Sequence, residues 1–396
     1  MTAEGSELNY ITDLLIALSR VDFTPDERRR AEDLCRAVTD WSSFAGLAIR
    51  HGVAALVWRN LDDMQLAHQV KENERKRLEG IMLKTIARVT YITAVAAEII
   101  QALEKSGIRV LLLKGLALEH SVYRSRGLRQ MSDADLLVSP ADALKARDVI
   151  ESLGFVSRPM KSSLYHNIIL DFGNHLPEMH RGGISVDLHH RLFGARAGGL
   201  TEMALRMPVN VTAGGMTCNI LPPQINFLSL VMHMQKHEDK GEFQLRLYCD
   251  IYLLLLNESG KILTDSLVDE ARMAGIEDEV KAVLYLMKVI YDFYVPEKFT
   301  AGIKPELINT DRFLVNLEDP GYAEPVTPSE VYRRNLSAIN GIKGKLIFIA
   351  GDLFPSVSFM KKRYGRQSVL GALLCYPHRM GKLFVILKAL RKGHVR

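Results

Sequence analysis

The sequence predicts an α+β chain, mainly helical overall, with a small mixed β-sheet core flanked by N- and C-terminal helical segments. Three observations predict it. The first hundred residues carry apolar side chains at three- and four-residue spacing. Short apolar runs rich in strand formers then alternate with helical stretches over about 80 residues. Beyond Ala213-Gly214-Gly215 and Leu221-Pro222-Pro223 the helical period returns.

Taken in order, Glu27–Val38, Trp41–Leu61 and Lys71–Ser106 read as helices, the last closed by Ser106-Gly107. Ile108–Leu113 is a short apolar strand run, followed at once by Lys114-Gly115 and a helical stretch, Leu116–Tyr123. Arg124–Met131 is a polar, basic loop, and Asp135–Val138 begins a second strand run. Pro140–Ser152 is a helix closed by Gly154, and Ile184–Leu188 is a third strand run after Gly182-Gly183. Gln224–His237, Leu245–Leu256 and Asp278–Phe293 are amphipathic helices, Pro296–Pro328 reads as a loop-rich connector, and helices resume from Ser329. These breaks divide the chain into a helical region (1–106), an α/β core (107–212), a helical substrate-side domain (213–294) and a loop-rich, basic helical region (295–396).

With 47% hydrophobic and 24% charged residues, the chain is neither disordered nor collagen-like. Cys35, Cys218, Cys249 and Cys375 lie far apart, which argues against a zinc ribbon or a disulfide framework and for a reducing, cytoplasmic setting. The opening MTAEGSELNY lacks a signal-peptide profile. The longest apolar runs, around Ile251–Leu256 and Arg109–Leu113, fall short of the roughly 20 residues of a membrane span, so no transmembrane segment is expected.

Charge is unevenly spread. Val331–Arg396 carries 14 Lys and Arg against one acid, Asp352, while the whole chain is only +5. A basic tail on an acidic body fits a polyanion surface (nucleotide, RNA or anionic membrane), or solvated helix faces packed on the body. Leu370–Leu390 mixes apolar residues with Arg379, Lys382 and Lys388, as a membrane-surface segment or a core-covering terminal helix would.

The chemistry concentrates between Leu111 and Val138. Asp133 and Asp135 stand two residues apart at a strand edge, so both carboxylates leave one face, where a divalent cation would relieve their repulsion. Lys114 and Gly115 join a strand to a helix start, which offers free N–H groups and a positive charge to phosphate. Asp187 lies in ISVDLHH; on a neighbouring strand it would complete a three-carboxylate, two-metal site for in-line attack at phosphorus. His189 shares a strand face with Asp187 and either touches substrate or sits hydrogen-bonded in the core. His233 and His237 have the helical spacing of a zinc pair but no HExxH context. They either line the substrate side or pack against Arg246 and Asp250, which share a face of the next helix. No Walker A, Rossmann or Gly-x-Ser-x-Gly fingerprint occurs.

This ordered set of strand, Lys-Gly turn, helix, basic loop, Asp-x-Asp strand and later strand-borne Asp resembles the nucleotidyltransferase superfamily of polymerase-beta-like fold. It is most similar to the uncharacterised bacterial nucleotidyltransferase family, which carries lysine–glycine where glycine–serine is usual. The resemblance rests on LEKSGIRVLLLKGLAL, Tyr123, Arg129 four residues before DADLLV, VDLHHRL, LVMHMQKH, LRLYCDIYLLL and the N-terminal LAIRHGVAALVWRNL. It covers residues 10 to 260, with LFPSVSFMKKRYG as a further shared feature.

The resemblance implies a transferase dependent on Mg²⁺, with Mn²⁺ as an alternative. It would move a nucleoside monophosphate from an NTP such as ATP to an acceptor hydroxyl on a sugar, peptide, small molecule or RNA, releasing pyrophosphate. Asp133 and Asp135 would bridge two metal ions, and Asp187 would ligate one and take the acceptor's proton. Lys114 and Gly115 would hold the triphosphate, while Arg129 would balance phosphate charge or pair with a nearby acid. The alternatives are a kinase-like phosphotransferase on the same fold and a non-catalytic nucleotide- or RNA-binding module.

Overall fold

The computed structural model describes residues 3–124, 127–165, 170, 173–193, 197–213, 216–304, 310–319, 326–339, 341–379, 381 and 388. Among the described residues helices dominate, and seven strands form a mixed sheet, in keeping with the predicted class. The chain divides into two compact units, Met1–Ile100 with Leu111–Ala134 and Arg206–Pro325, and Gln101–Val110 with Asp135–Leu205 and Val326–Arg396.

The first unit opens with α1 (Ala3–Ala17), α2 (Pro25–Ala37), α3 (Trp41–Arg50) and α4 (Ala54–Asp63). A capping box starts α2: Thr24 Oγ1 accepts the Glu27 N–H, and Glu27 Oε2 accepts the Thr24 N–H. At α3 the Asp40 carboxylate accepts the Ser42 and Ser43 N–H groups, each at 3.1 Å. The expected single helix over Trp41–Leu61 is two helices. Gly52, at φ +71°, turns the chain in the left-handed region, which a residue with a Cβ rarely adopts. The buried His51 beside it bridges distant parts of the unit. Its Nε2 donates to the Leu317 carbonyl at 2.7 Å and its Nδ1 accepts the Leu245 N–H at 3.3 Å. Burial pushes its pKa down to about 4, so the ring stays neutral.

α5 (Glu72–Lys105) follows the predicted span, with Leu78, Ile92, Ala96, Ile99 and Leu103 fully buried. By length and composition alone it is apolar enough to cross a membrane, with a mean hydropathy of 1.4 over 18 residues. A core helix passes the same test, and with one stripe of α5 buried no clear membrane-spanning segment stands out.

Still in the first unit, β1 (Leu111–Leu112) runs into α6 (Lys114–Ser121) and pairs in parallel with β7 (Met216–Ile220), Leu111 opposite Asn219. β6 (Val209–Ala213) pairs antiparallel with β7 from Val209↔Ile220 to Ala213↔Met216. The helices Pro223–Glu238, Leu245–Ile262 and Glu277–Ile290 complete the expected helical stretch. Leu245–Ile262 leaves regular helix at Glu258 (φ −131°, ψ 17°), two residues beyond its predicted end.

In the second unit β3 (Val156–Ser157), β4 (Met179–Arg181), β5 (Ile184–His189) and the main part of β2 (Asp133–Leu137) lie in that sheet order. α7 (Ala143–Ser152) packs on β5. The C-terminal part of the unit is short helices from Pro328 to Arg379, anchored on the segment 160–165. There Asp352, 1% exposed, pairs with Lys161, and Tyr165 Oη donates to the Phe348 carbonyl at 3.1 Å. The Tyr165 ring occupies the space a Cβ on Gly351 would need. Part of the expected terminal segment, including Lys382, lies outside the described residues.

Candidate functional site

Strand alternation decides which side chains meet in the second unit. Along β5, Ile184, Val186 and Leu188 are fully buried on one face, while Ser185, Asp187 and His189 take the other. On β2, Ala134 and Leu136 are buried on one face, and Asp133 and Asp135 alternate with them. The Val138 N–H donates to the His189 carbonyl at 3.0 Å and ties the end of β2 to β5.

Ligand atoms from Asp135, Asp187 and His189 all lie within 4.8 Å of one another. His189 Nε2 stands 3.0 Å from Asp135 Oδ1, and the His175 ring lies 5.4 Å from the His189 ring. Asp135 and His189 are buried and Asp187 half-buried. Two carboxylates held this close repel, and a cation between them removes the repulsion. Two hard oxygen donors and one imidazole suit Mg²⁺ or Mn²⁺, the imidazole favouring Mn²⁺. The group can therefore hold a metal. Of the two readings of His189, contact with substrate or a hydrogen bond in the core, the contact observed is the buried one to Asp135, and its i, i+2 relation to Asp187 is the sequence signal for its place in this group. Asp133 stands outside the trio, half-buried at the start of β2.

The first unit holds a second polar assembly. Arg129, 5% exposed, meets the fully buried Asp250 in a two-pronged pair: Nη2 to Oδ2 at 2.5 Å and Nε to Oδ1 at 3.2 Å. Tyr123 Oη donates to Asp250 Oδ1 at 2.9 Å. Burial is the largest single influence and would lower the guanidinium pKa, but the Asp250 charge and hydrogen bond, with Tyr123 and Asp133, together outweigh it and the net shift is upward. Of the two readings of Arg129, pairing with an acid is therefore the contact observed. Glu119 accepts the backbone N–H groups of Gly127, at 2.5 Å, and Arg129, at 3.2 Å. Burial pushes its pKa up to about 7, against those hydrogen bonds and the Arg129 charge. Neither Glu119 nor Tyr123 stood out as a site residue in the sequence: Tyr123's partner lies 127 residues away, and Glu119 accepts backbone N–H groups, which carry no side-chain signal.

Gly115 belongs to the same assembly. A Cβ there would lie 2.5 Å from Arg129 Nη1 and 3.1 Å from Cζ. The missing side chain makes room for a guanidinium that Asp250 holds in place. Gly115→Ala is therefore expected to cost about 1–3 kcal/mol, read as a lower urea midpoint; an unchanged midpoint would mean that Arg129 yields freely.

Lys114, beside it, takes φ +48°, a strained backbone for a residue with a Cβ. Its charge is felt at Lys236, whose pKa is lowered first by desolvation and then by repulsion from Lys114 and Lys240. An anion among these three lysines would relieve that repulsion.

Arg246 donates to the Gln130 carbonyl and to Gln244 Oε1. Burial first and Arg129 second push its pKa down to about 10. His233 and His237 meet edge to face, ring centroids 4.7 Å apart, and His237 Nδ1 lies 2.7 Å from Glu242 Oε2. Burial lowers the His237 pKa, and the Glu242 contact opposes it. Asp250 is spent on Arg129 and Tyr123.

Neither the curated proteins nor the solved structures give a match to this chain. The model of one family, described as "Uncharacterised nucleotidyltransferase", matches residues 37–292, well over half the sequence and a span that includes Lys114, Arg129, Asp135, Asp187, His189 and Asp250. The chain belongs to this nucleotidyltransferase family.

Proposed function

We propose that the protein is a cytoplasmic, divalent-metal-dependent enzyme that moves a nucleoside monophosphate from an NTP to an acceptor hydroxyl. The observation that carries this reading is the Asp135–Asp187–His189 group in a chain of this family. The four cysteines, all buried free thiols, accord with a reducing compartment.

Asp135, Asp187 and His189 would hold the metal, with Asp133 two residues earlier on β2 as a further carboxylate. The metal, when bound, supplies positive charge to the phosphate oxygens and lowers the acceptor hydroxyl's pKa. Lys114 would bind the triphosphate, with Lys236 and Lys240 adding to its field. The acceptor oxygen bonds to the α-phosphorus as the bond to the bridging oxygen of pyrophosphate breaks. Asp187 takes the acceptor proton, and pyrophosphate leaves. Arg129, held by Asp250, keeps its charge whatever the pH and would counter phosphate charge by its field. Most of the acceleration would come from positioning and preorganised charge.

Thermal unfolding with Mg²⁺ or Mn²⁺ and each NTP tests the donor site. A ligand at a hundredfold over Kd adds about 2.7 kcal/mol, a visible shift in midpoint. The shift is expected only with metal and to vanish in Asp135→Asn. No shift with any NTP would sink the reading. NTP labelled at the α- or the γ-phosphate then separates nucleotidyl transfer from a phosphotransferase, which would move the γ label and release NDP.

A further inference from the structure

The structure assigns a membrane-docking face to the C-terminal helices, one that takes the headgroup and outer acyl region of an anionic phospholipid bilayer. Of the twenty large apolar side chains exposed among the described residues, seven fall between Ile342 and Leu374. Four of these share one face. Val369, Leu370, Leu373 and Leu374 stand at i, i+1, i+4 and i+5 of the turn-and-a-half that begins at Val369, with Leu370 71% and Leu374 75% exposed. The opposite face packs inward, where Ala372 and Cys375 join Met360 in a small core. Such a helix ordinarily turns polar residues to water, and here both faces are apolar. Phe354, 62% exposed, adds an aromatic ring at the end of the helix Ile342–Leu353.

The charges on this stretch have one sign. Between residues 342 and 374 stand Lys343, Lys345, Lys361, Lys362, Arg363 and Arg366, and the lone acid, Asp352, is buried against Lys161. Asp352, Tyr165 and the Ser356 N–H bond to the Lys161 carbonyl (2.7 Å) fix this stretch to the body of the unit, so the apolar face is held outward. Exposed leucines interleaved with cations match an anionic bilayer, where aliphatic groups enter the interface and lysines meet lipid phosphates. RNA would use the cations but leave the leucines in water.

Cosedimentation of the full chain with vesicles tests this, comparing equal phosphatidylglycerol and phosphatidylcholine with phosphatidylcholine alone. The anionic vesicles are expected to pellet the protein, less so as salt rises. Leu370→Ser/Leu374→Ser should lower the partition coefficient about tenfold or more, with unchanged thermal unfolding because both side chains are exposed. Lys361→Glu/Lys362→Glu should lower it as well. Absence of binding to anionic vesicles would overturn the proposal. So would binding that ignores the leucine pair, or that RNA displaces with equal strength in the leucine variant. A shift in oligomeric state on leucine substitution, without vesicle binding, would assign the face to a second copy of the chain.

Discussion

Asp187→Asn is expected to cut nucleotidyl transfer by about 10³-fold or more while leaving the fold intact. Asparagine keeps the shape of the side chain, and Asp187 is only half-buried on β5, so packing changes little. What disappears is a negative charge beside Asp135 and, on the proposed mechanism, the acceptor of the hydroxyl proton. The same loss predicts a sign for stability. Without metal, the variant should be no less stable than the parent, because one of two close carboxylates has lost its charge. With Mn²⁺ present, the parent should gain stability and the variant should gain far less. Metal affinity by calorimetry and unfolding with and without Mn²⁺ read both effects. A variant that responds to Mn²⁺ as the parent does would remove Asp187 from the metal group. One that loses stability without metal would make the trio a structural hydrogen-bond cluster, with His189 as the counter-charge to Asp135.

The elements that the sequence shows best are those whose signal is periodic and local. α5 appears nearly residue for residue and the helix Leu245–Ile262 from its first residue to Leu256, because a long apolar stripe admits only one period. β6 and β7 went unread, although Gly214-Gly215 stands between VNVTA and MTCNI in the manner of a hairpin. Both runs alternate strictly, with Asn210, Thr212, Thr217 and Asn219 between the apolar positions, so the period-2 signal is present; it is eclipsed because Ala213-Gly214-Gly215 also reads as a break between regions. Trp41–Leu61 reads as one helix because its apolar spacing carries through His51-Gly52. Only the positive φ of Gly52 and the demands of the buried His51 reveal the break. The candidate metal group was legible as chemistry, since Asp135, Asp187 and His189 all lie in strand-like runs. Its composition was not, because which atoms converge depends on the order of β2 and β5 in the sheet, which period-2 patterning does not encode. The pairing of Arg129 with Asp250, 121 residues apart, was hidden for the same reason.

That pair carries the largest expected effect on stability. Asp250→Asn should destabilise the protein by about 3–5 kcal/mol, since it leaves the Arg129 guanidinium buried without a counter-charge. Asparagine can still accept from Tyr123, so the loss isolates the charge and leaves the hydrogen bond. Removing both partners, as Arg129→Met/Asp250→Leu, should cost much less than the single change, because no orphaned charge remains. Urea denaturation of the four proteins in this cycle measures the coupling. Glu119 adds a dependence on pH. Its raised pKa means that the native parent favours the protonated acid, so this group's contribution to stability is present below about pH 4.5 and is lost as pH rises toward 7. Asp250 is one cause of that raised value, the last in order after burial and the opposing pulls of Gly127 and Arg129. In Asp250→Asn that repulsion is gone and the unpaired Arg129 favours the Glu119 carboxylate, so the variant loses less over the same window. The stability gap between parent and variant should therefore narrow as pH rises through 7. A gap that stays constant with pH would mean that Glu119 does not feel the Arg129–Asp250 pair, and that the three groups are neighbours without electrostatic coupling.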